Sequence, residues 1–291
     1  MLFFAEILNI MEGEKQDKSF QPIDLKEVVG NKNPKLAKRI PKFIYNWLNR
    51  LLHVEEINGF LSENSHLNSL DFIEEGAKFL KIDFTVSGEE NIPEHGRNFF
   101  VSNHPLGGLD GLVLLKILNE RTENKTRALA NDFLMTIKPL HELFVPINKV
   151  GGQARQSVKA IEELYKSPDQ IMMFPAGLCS RKVNGKIIDL TWQKHFIQRA
   201  RQFNMGIVPV FFEGHNTNRF YNLARLRKLL GIKFNFEMIT LVDEMFKQRN
   251  KTFNIYFGER ISPDFFDNSK KPAEWAEYVK KIVYQLPQKS S

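Results

Sequence analysis

Apolar residues fall into a helical spacing near the start of the chain and into short unbroken runs further on. From Pro41, the segment PKFIYNWLNRLLHV puts Phe43, Ile44, Trp47, Leu48, Leu51 and Leu52 on one face, with Lys42, Asn46, Asn49 and Arg50 opposite. Pro41 suits a first helical turn, so the pattern predicts an amphipathic helix over 41–53. A second helical stretch over about 67–80 leads into KIDFTVSGEENIP, whose alternation and closing Gly, Asn and Pro read as a strand and a turn. Beyond it the runs NFFVSN, TRALAN, QIMMFP, GIVPVFF and TFNIYFG are rich in strand formers and separated by segments of helical length. That alternation predicts an α/β fold, a mixed, largely parallel central sheet flanked by helices, with an N-terminal helical region. A last helix is expected over about 272–284. Residues 12–36 are polar and broken by Gly, Asn and Pro, and read as a loosely held leader. The division expected is a leader and helical region over 1–80 and an α/β domain over 81–291, without internal repeats.

Composition narrows the classes. The 291 residues carry 41 Lys and Arg against 34 Asp and Glu, a formal charge of +7, which favours an anionic partner. The single cysteine, Cys179, allows no internal disulfide and leaves a structural zinc site without its usual thiolates. The opening MLFFAEILNIM contains Glu6 and falls short of the roughly 20 apolar residues a membrane span needs. Together these read as a cytosolic-facing chain. With no HExxH, GxxxxGK[ST] or GxGxxG present, no metal and no cofactor is called for.

The chemistry concentrates in FFVSNHPLGGLDGLVLL (residues 99–115), where a strand-like run stops at His104, passes Gly107 and Gly108, and turns helical near Asp110. Strand-to-helix loops of α/β sheets are where ligands gather. A neutral imidazole can take a proton from a hydroxyl while a carboxylate on its other nitrogen fixes the tautomer. The residue types leave a second reading open, in which Asp110 only caps the helix and His104 satisfies a backbone carbonyl.

SNHP followed closely by Asp resembles the first block of the glycerolipid acyltransferase superfamily, the lysophosphatidate acyltransferase-like enzymes, and most of all a branch loosely labelled haemolysins that is similar to lyso-ornithine lipid O-acyltransferases. ELFVPINKVGG (residues 142–152) resembles the second block, with Lys149 at its basic position, MMFPAGLCSR (172–181) the third and GIVPVFFEG (206–214) the fourth. The resemblance implies a catalytic dyad of His104 and Asp110, and substrate contacts from Asn103, Gly107, Gly108, Lys149, Phe174, Pro175, Gly177, Ser180 and Arg181. Five residues separate His104 from Asp110 where the family has four. In the third block Ala176 and Cys179 replace the family's Glu and Arg, which resemble the residues that hold a glycerol phosphate. The implied acceptor is therefore a lyso-amino-lipid, ornithine-lipid-like, or a 1-acylglycerol-3-phosphate, with Arg181 available to restore the missing charge.

The activity implied is transfer of an acyl group from acyl carrier protein or acyl-CoA to the hydroxyl of a lyso-lipid, by a cytoplasmic enzyme peripheral on the inner face of the cell membrane. Alternatives are a non-catalytic, haemolysin-like membrane protein, a thioester or ester hydrolase using the same dyad, and an acyl-cysteine route through Cys179, whereas His195 reads as an ordinary helix residue. The 41–53 helix either lies on a bilayer or covers a core. NRFYNLARLRKLLGIKF interleaves Arg219, Arg225, Arg227, Lys228 and Lys233 with Phe220, Tyr221 and Leu229, a pattern suited to lipid headgroups or an acidic carrier. Nucleic acid is set aside, because no recognised binding motif accompanies the patch.

Overall fold

The computed structural model describes residues 22–122, 125–130, 137–146 and 153–289. It opens with helices inside the stretch expected to be a loose leader. Helix α1 (Leu25–Lys32) starts at Asp24, whose side chain accepts the amides of Lys26 and Glu27, and α2 (Pro34–Arg39) starts at Asn33, which accepts that of Leu36. Each side chain satisfies amides that a helix start would otherwise leave unpaired.

Helix α3 (Lys42–Leu51) follows as expected, but its apolar face is divided. Tyr45, Leu48, Leu51 and Leu52 are buried with Leu25, Val29, Ala37 and Ile40, whereas Phe43 is 71% and Trp47 48% exposed. The apolar stripe is wider than the surface beneath it, so its outer edge faces water. Helices α4 (Val54–Asn64) and α5 (Ser69–Leu80) complete the region, and α5 sends Phe72, Ile73 and Leu80 into the core under the sheet.

The remaining elements run β1 (Asp83–Ser87), β2 (Asn98–Ser102), α6 (Gly108–Arg121), β3 (Thr126–Ala130), β4 (Phe144–Pro146), α7 (Gln153–Lys166), β5 (Gln170–Met173), β6 (Arg181–Val183), β7 (Lys186–Ile188), α8 (His195–Phe203), β8 (Gly206–Phe212), α9 (Asn218–Leu229), α10 (Leu241–Phe246), β9 (Thr252–Phe257) and α11 (Pro272–Lys289). Seven strands form one sheet in the order β1-β9-β8-β2-β5-β3-β4, parallel throughout except where β8 meets β9. The mixed, largely parallel sheet expected from the alternating runs is thus present. Strands β6 and β7 form a separate antiparallel hairpin.

Central strands buried on both faces need side chains that are apolar in both directions, which is why NFFVS is unbroken. Phe100 joins Val208, Val210 and Phe212 in the core shared with α5 and α6. Phe99 and Val101 point the other way, to Phe196 and Ile197 of α8 and Trp275, Val279 and Val283 of α11. The adjacent strands β8, β2 and β5 end together, and the loops leaving them build the site.

Candidate active site

His104 lies two residues beyond β2. Its chain cannot drift from the sheet, because Asn103 acts as an extra rung: Asn103 Nδ2 donates to the Phe212 carbonyl at 2.9 Å, and the Phe212 amide donates to Asn103 Oδ1 at 2.7 Å. Asn103 therefore staples the end of β2 to the end of β8. Gly107 makes the next turn at φ 89° and ψ −117°, a conformation a side chain resists. A Cβ there would meet Leu241 Cδ1 at 3.1 Å and Cys179 Sγ at 3.2 Å. The turn absorbs the additional residue between His104 and Asp110 and starts α6 at Gly108, two residues before the aspartate.

Asp110 thereby lies inside the first turn of α6 and is not its cap, contrary to the second reading. Its side chain is wholly buried, and both carboxylate oxygens stand 3.1 Å from His104 Nδ1. Oδ2 also accepts the Leu106 amide at 2.9 Å and Oδ1 the Gly111 amide at 2.8 Å. A carboxylate with this set of donors holds Nδ1 protonated, which leaves Nε2 as the ring's basic atom. Among the described residues Nε2 has no hydrogen-bond partner, and the side chain is 17% exposed. Phe174, just beyond β5, stacks on the imidazole with centroids 3.9 Å apart and planes 20° from parallel. Gly111 lies beside that ring, and a Cβ there would stand 3.4 Å from Phe174, in ordinary van der Waals contact.

Helix α6 has no side-chain cap, so the amides of its first turn, beside the imidazole in the chain, lack the partner that Asp24 or Asn33 gives α1 and α2. Gly108 is exposed there, while Gly107 is buried.

The third block is split. Phe174 reaches the histidine, Pro175 accepts the Gln193 amide through its carbonyl, and Gly177 turns exposed at φ 67°. Ser180 is buried behind the site, its amide donating to the His104 carbonyl at 2.7 Å and its hydroxyl to Asp189 at 2.6 Å. Arg181 does not offer its charge to an acceptor. It is 8% exposed, with Nη2 2.9 Å from Glu237 Oε1, Nη1 donating to the Cys179 carbonyl at 2.6 Å, and the guanidinium over the Phe220 ring. Lys149 lies outside the described residues.

Cys179 is fully buried, and burial, with the nearby carboxylates of Asp110 and Asp189 adding to it, pushes its thiol up to about 12. A thiol held neutral in this way is no nucleophile, so the acyl-cysteine route does not fit. His195 is the exposed first residue of α8. Among the described residues no three His, Cys, Asp or Glu gather as metal ligands would, and no helix is long and apolar enough to cross a membrane.

Sequence reasoning missed Asp189. The signal was present as Asn184-Gly185, a two-residue hairpin turn with φ of 49° and 80°. The hairpin pairs Arg181 with Ile188, so Ser180 and Asp189 are the next residues facing each other.

Known proteins resemble this chain over nearly all of its length. A family model described as Acyltransferase matches residues 27–290. The chain is 49% identical over 270 residues to a lyso-glycine lipid O-acyltransferase of Bacteroides thetaiotaomicron, covering 93% of this chain and 99% of that protein. A lyso-glycine lipid O-acyltransferase of Phocaeicola vulgatus is 44% identical over 270 residues, covering 93% and 97%. Among solved structures, the 1-acyl-sn-glycerophosphate acyltransferase of Thermotoga maritima aligns with a TM-score of 0.48 at 21% identity, over 83% of this chain and 95% of that one. A family model and two relatives thus span nearly all of the sequence, and this chain belongs to the acyltransferase family.

Proposed function

We propose that this enzyme transfers a fatty acyl group from an acyl thioester, acyl carrier protein or acyl-CoA, to the hydroxyl of a lyso-amino-lipid, with His104 as general base. The observation that carries the reading is the pair itself: Asp110, buried and 3.1 Å from Nδ1, sets Nε2 free to act at the strand ends. Nε2 takes the acceptor's hydroxyl proton as the oxygen attacks the thioester carbonyl, and Asp110 steadies the imidazolium that forms. The tetrahedral oxyanion collapses with cleavage of the carbon–sulfur bond, and the thiolate leaves with the proton from Nε2. Amides around Gly107 and Gly108 hold the oxyanion in this reading, which the lack of a side-chain cap at the start of α6 supports. General-base help contributes about 10²- to 10⁴-fold, so positioning and oxyanion binding supply the rest.

An acceptor without a phosphate is favoured by the third block, where Ala176 and Cys179 lack charge and Arg181 is engaged by Glu237. The relatives' names favour a glycine headgroup over ornithine among the lyso-amino-lipids. Delivery at a bilayer surface is supported by exposed Phe43 and Trp47 on α3 and by the end of α9, where Leu226, Leu229 and Leu230 are 48%, 74% and 63% exposed among exposed Arg225, Lys228 and Lys233.

The test supplies purified protein with acyl carrier protein and coenzyme A thioesters and a panel of lyso-glycine, lyso-ornithine and lysophosphatidate acceptors, with mass spectrometry of the lipids. A diacylated glycine lipid from wild type and its loss in His104→Ala are expected. Equal rates from the two proteins refute the assignment of the base, and a preference for lysophosphatidate refutes that of the acceptor.

A further inference from the structure

Two buried carboxylates meet at one histidine, one at its ring and one at its main chain. The second belongs to Asp189, immediately after β7 and 1% exposed. Its Oδ1 accepts the His104 amide at 3.2 Å and the Ser180 hydroxyl at 2.6 Å, while Oδ2 accepts the Trp192 indole N–H at 2.9 Å. Ser180 in turn donates its amide to the His104 carbonyl. Both backbone polar groups of the histidine are thus held by the strands of one hairpin, extended by a residue at each end. No lysine or arginine stands within ion-pair distance of the Asp189 carboxylate among the described residues. Three neutral donors hold this carboxylate, and Lys280 bonds the residue's carbonyl and not its carboxylate, so the charge has no direct ion-pair partner.

We infer that Asp189 is a positioning residue for His104: its carboxylate fixes the main chain from which the imidazole projects, and its negative charge, which no side chain pairs directly, favours the imidazolium formed when the acceptor's proton arrives. The inference rests on the reading of His104 as general base. Asp110 performs the corresponding task at the ring, so the proton is received between two anions while only one touches the imidazole.

The surroundings leave these two carboxylates as the charges that matter. From the hairpin, the Cys179 thiol is held neutral and Arg181 is paired with Glu237. From α11, the Tyr284 phenol is raised by burial and by the charge of Asp189, and accepts the Asp189 amide at 2.8 Å, while Lys280 donates to the Asp189 and Leu190 carbonyls. From α10, Glu244 accepts the Thr217 amide and hydroxyl.

The experiment measures kcat and KM against pH for Asp189→Asn and Asp189→Glu, on protein first shown folded by circular dichroism and gel filtration, with His104→Ala in parallel. Asp189→Asn removes the charge and sets an NH2 group against one of the three donors. Expected are a kcat lower by roughly 10- to 100-fold at little change in KM for the thioester. The acidic limb of kcat/KM should move to lower pH, because the imidazolium has lost a stabilising charge. Asp189→Glu should return the limb toward its wild-type position while kcat stays depressed. A structural role alone lowers the folded fraction and leaves the limb in place, and that result overturns the inference, as does a limb that Asn and Glu move alike. Should Asp189→Asn not fold, Trp192→Phe withdraws one donor and leaves the charge less satisfied, so the limb is expected to move upward; an unmoved limb there also overturns the inference. His104→Ala tests the base itself, and wild-type turnover in that variant counts against the dyad whatever Asp189 does.

Discussion

Replacing Asp110 by asparagine separates the shape of the dyad from its charge. In the native site both carboxylate oxygens receive N–H donors, Oδ2 from Leu106 and Oδ1 from Gly111, and both lie 3.1 Å from His104 Nδ1. An amide has one acceptor oxygen, so either orientation sets its NH2 against a buried N–H. If the NH2 faces Gly111, one buried donor is unpaired, at about 1–3 kcal/mol of stability, and the imidazolium has lost its counter-charge. If it faces Leu106, it also favours the tautomer with Nδ1 as acceptor, which puts the proton on Nε2 and removes the base. Both outcomes lower kcat, by about 10²- to 10⁴-fold, and lower the melting temperature by several degrees, on the order of 2–4 °C per kcal/mol for a chain approaching this size. Thiol release from the donor, followed continuously, gives kcat; mass spectrometry confirms that the lipid product falls with it; thermal denaturation gives the stability. A variant that melts early yet turns over like wild type refutes the reasoning, because Asp110 is then a brace for the loop and takes no part in the proton transfer.

Three further predictions concern neighbouring groups. Gly107→Ala forces a Cβ against Leu241 and Cys179 at a positive φ and should cost about 1–3 kcal/mol in chemical denaturation along with most of the activity; unchanged stability would show that the turn relaxes freely. Native protein at pH 8 should resist iodoacetamide at Cys179, with intact-mass adducts appearing only in denaturant, since the thiol is buried and pushed up to about 12. Arg181→Ala leaves wholly buried Glu237 with Arg227 alone and should destabilise the fold by about 3–5 kcal/mol without altering the ratio of amino-lipid to phospholipid products; a changed ratio would place Arg181 at the acceptor after all.

Most of the sheet was legible because its central strands are buried on both sides and therefore write themselves as apolar runs; β2, β5, β8 and β9 all lie where those runs fall. Strands β4, β6 and β7, of three residues each, are too short to show a period. The hairpin was announced only by Asn184-Gly185, and with it the position of Asp189. The helices of the leader were legible in their caps, Asp24 with Glu27 three residues on and Asn33 before Pro34, but polar composition outweighed that signal. Periodicity placed α3 and left open how much of its apolar face is covered, because the spacing along one helix says nothing of how wide a surface lies beneath it. Residue type and loop context offered the pairing of His104 with Asp110 as one of two readings, and the resemblance to an acyltransferase block favoured it. Which amides surround the carboxylate was not, since that depends on Gly107 adopting a backbone conformation that no pattern of polarity encodes.

The contact between α11 and Asp189 ties the ripening of the enzyme to the order in which its chain is made. Tyr284 takes the amide of a residue 95 positions upstream, and Lys280 grips the carbonyls beside it, so the support under the histidine closes only when those side chains have left the ribosome. A nascent or truncated polypeptide that ends before residue 280 already contains His104 and Asp110 but lacks this buttress. If Asp189 positions His104, acyl transfer is expected only from chains in which α11 has docked.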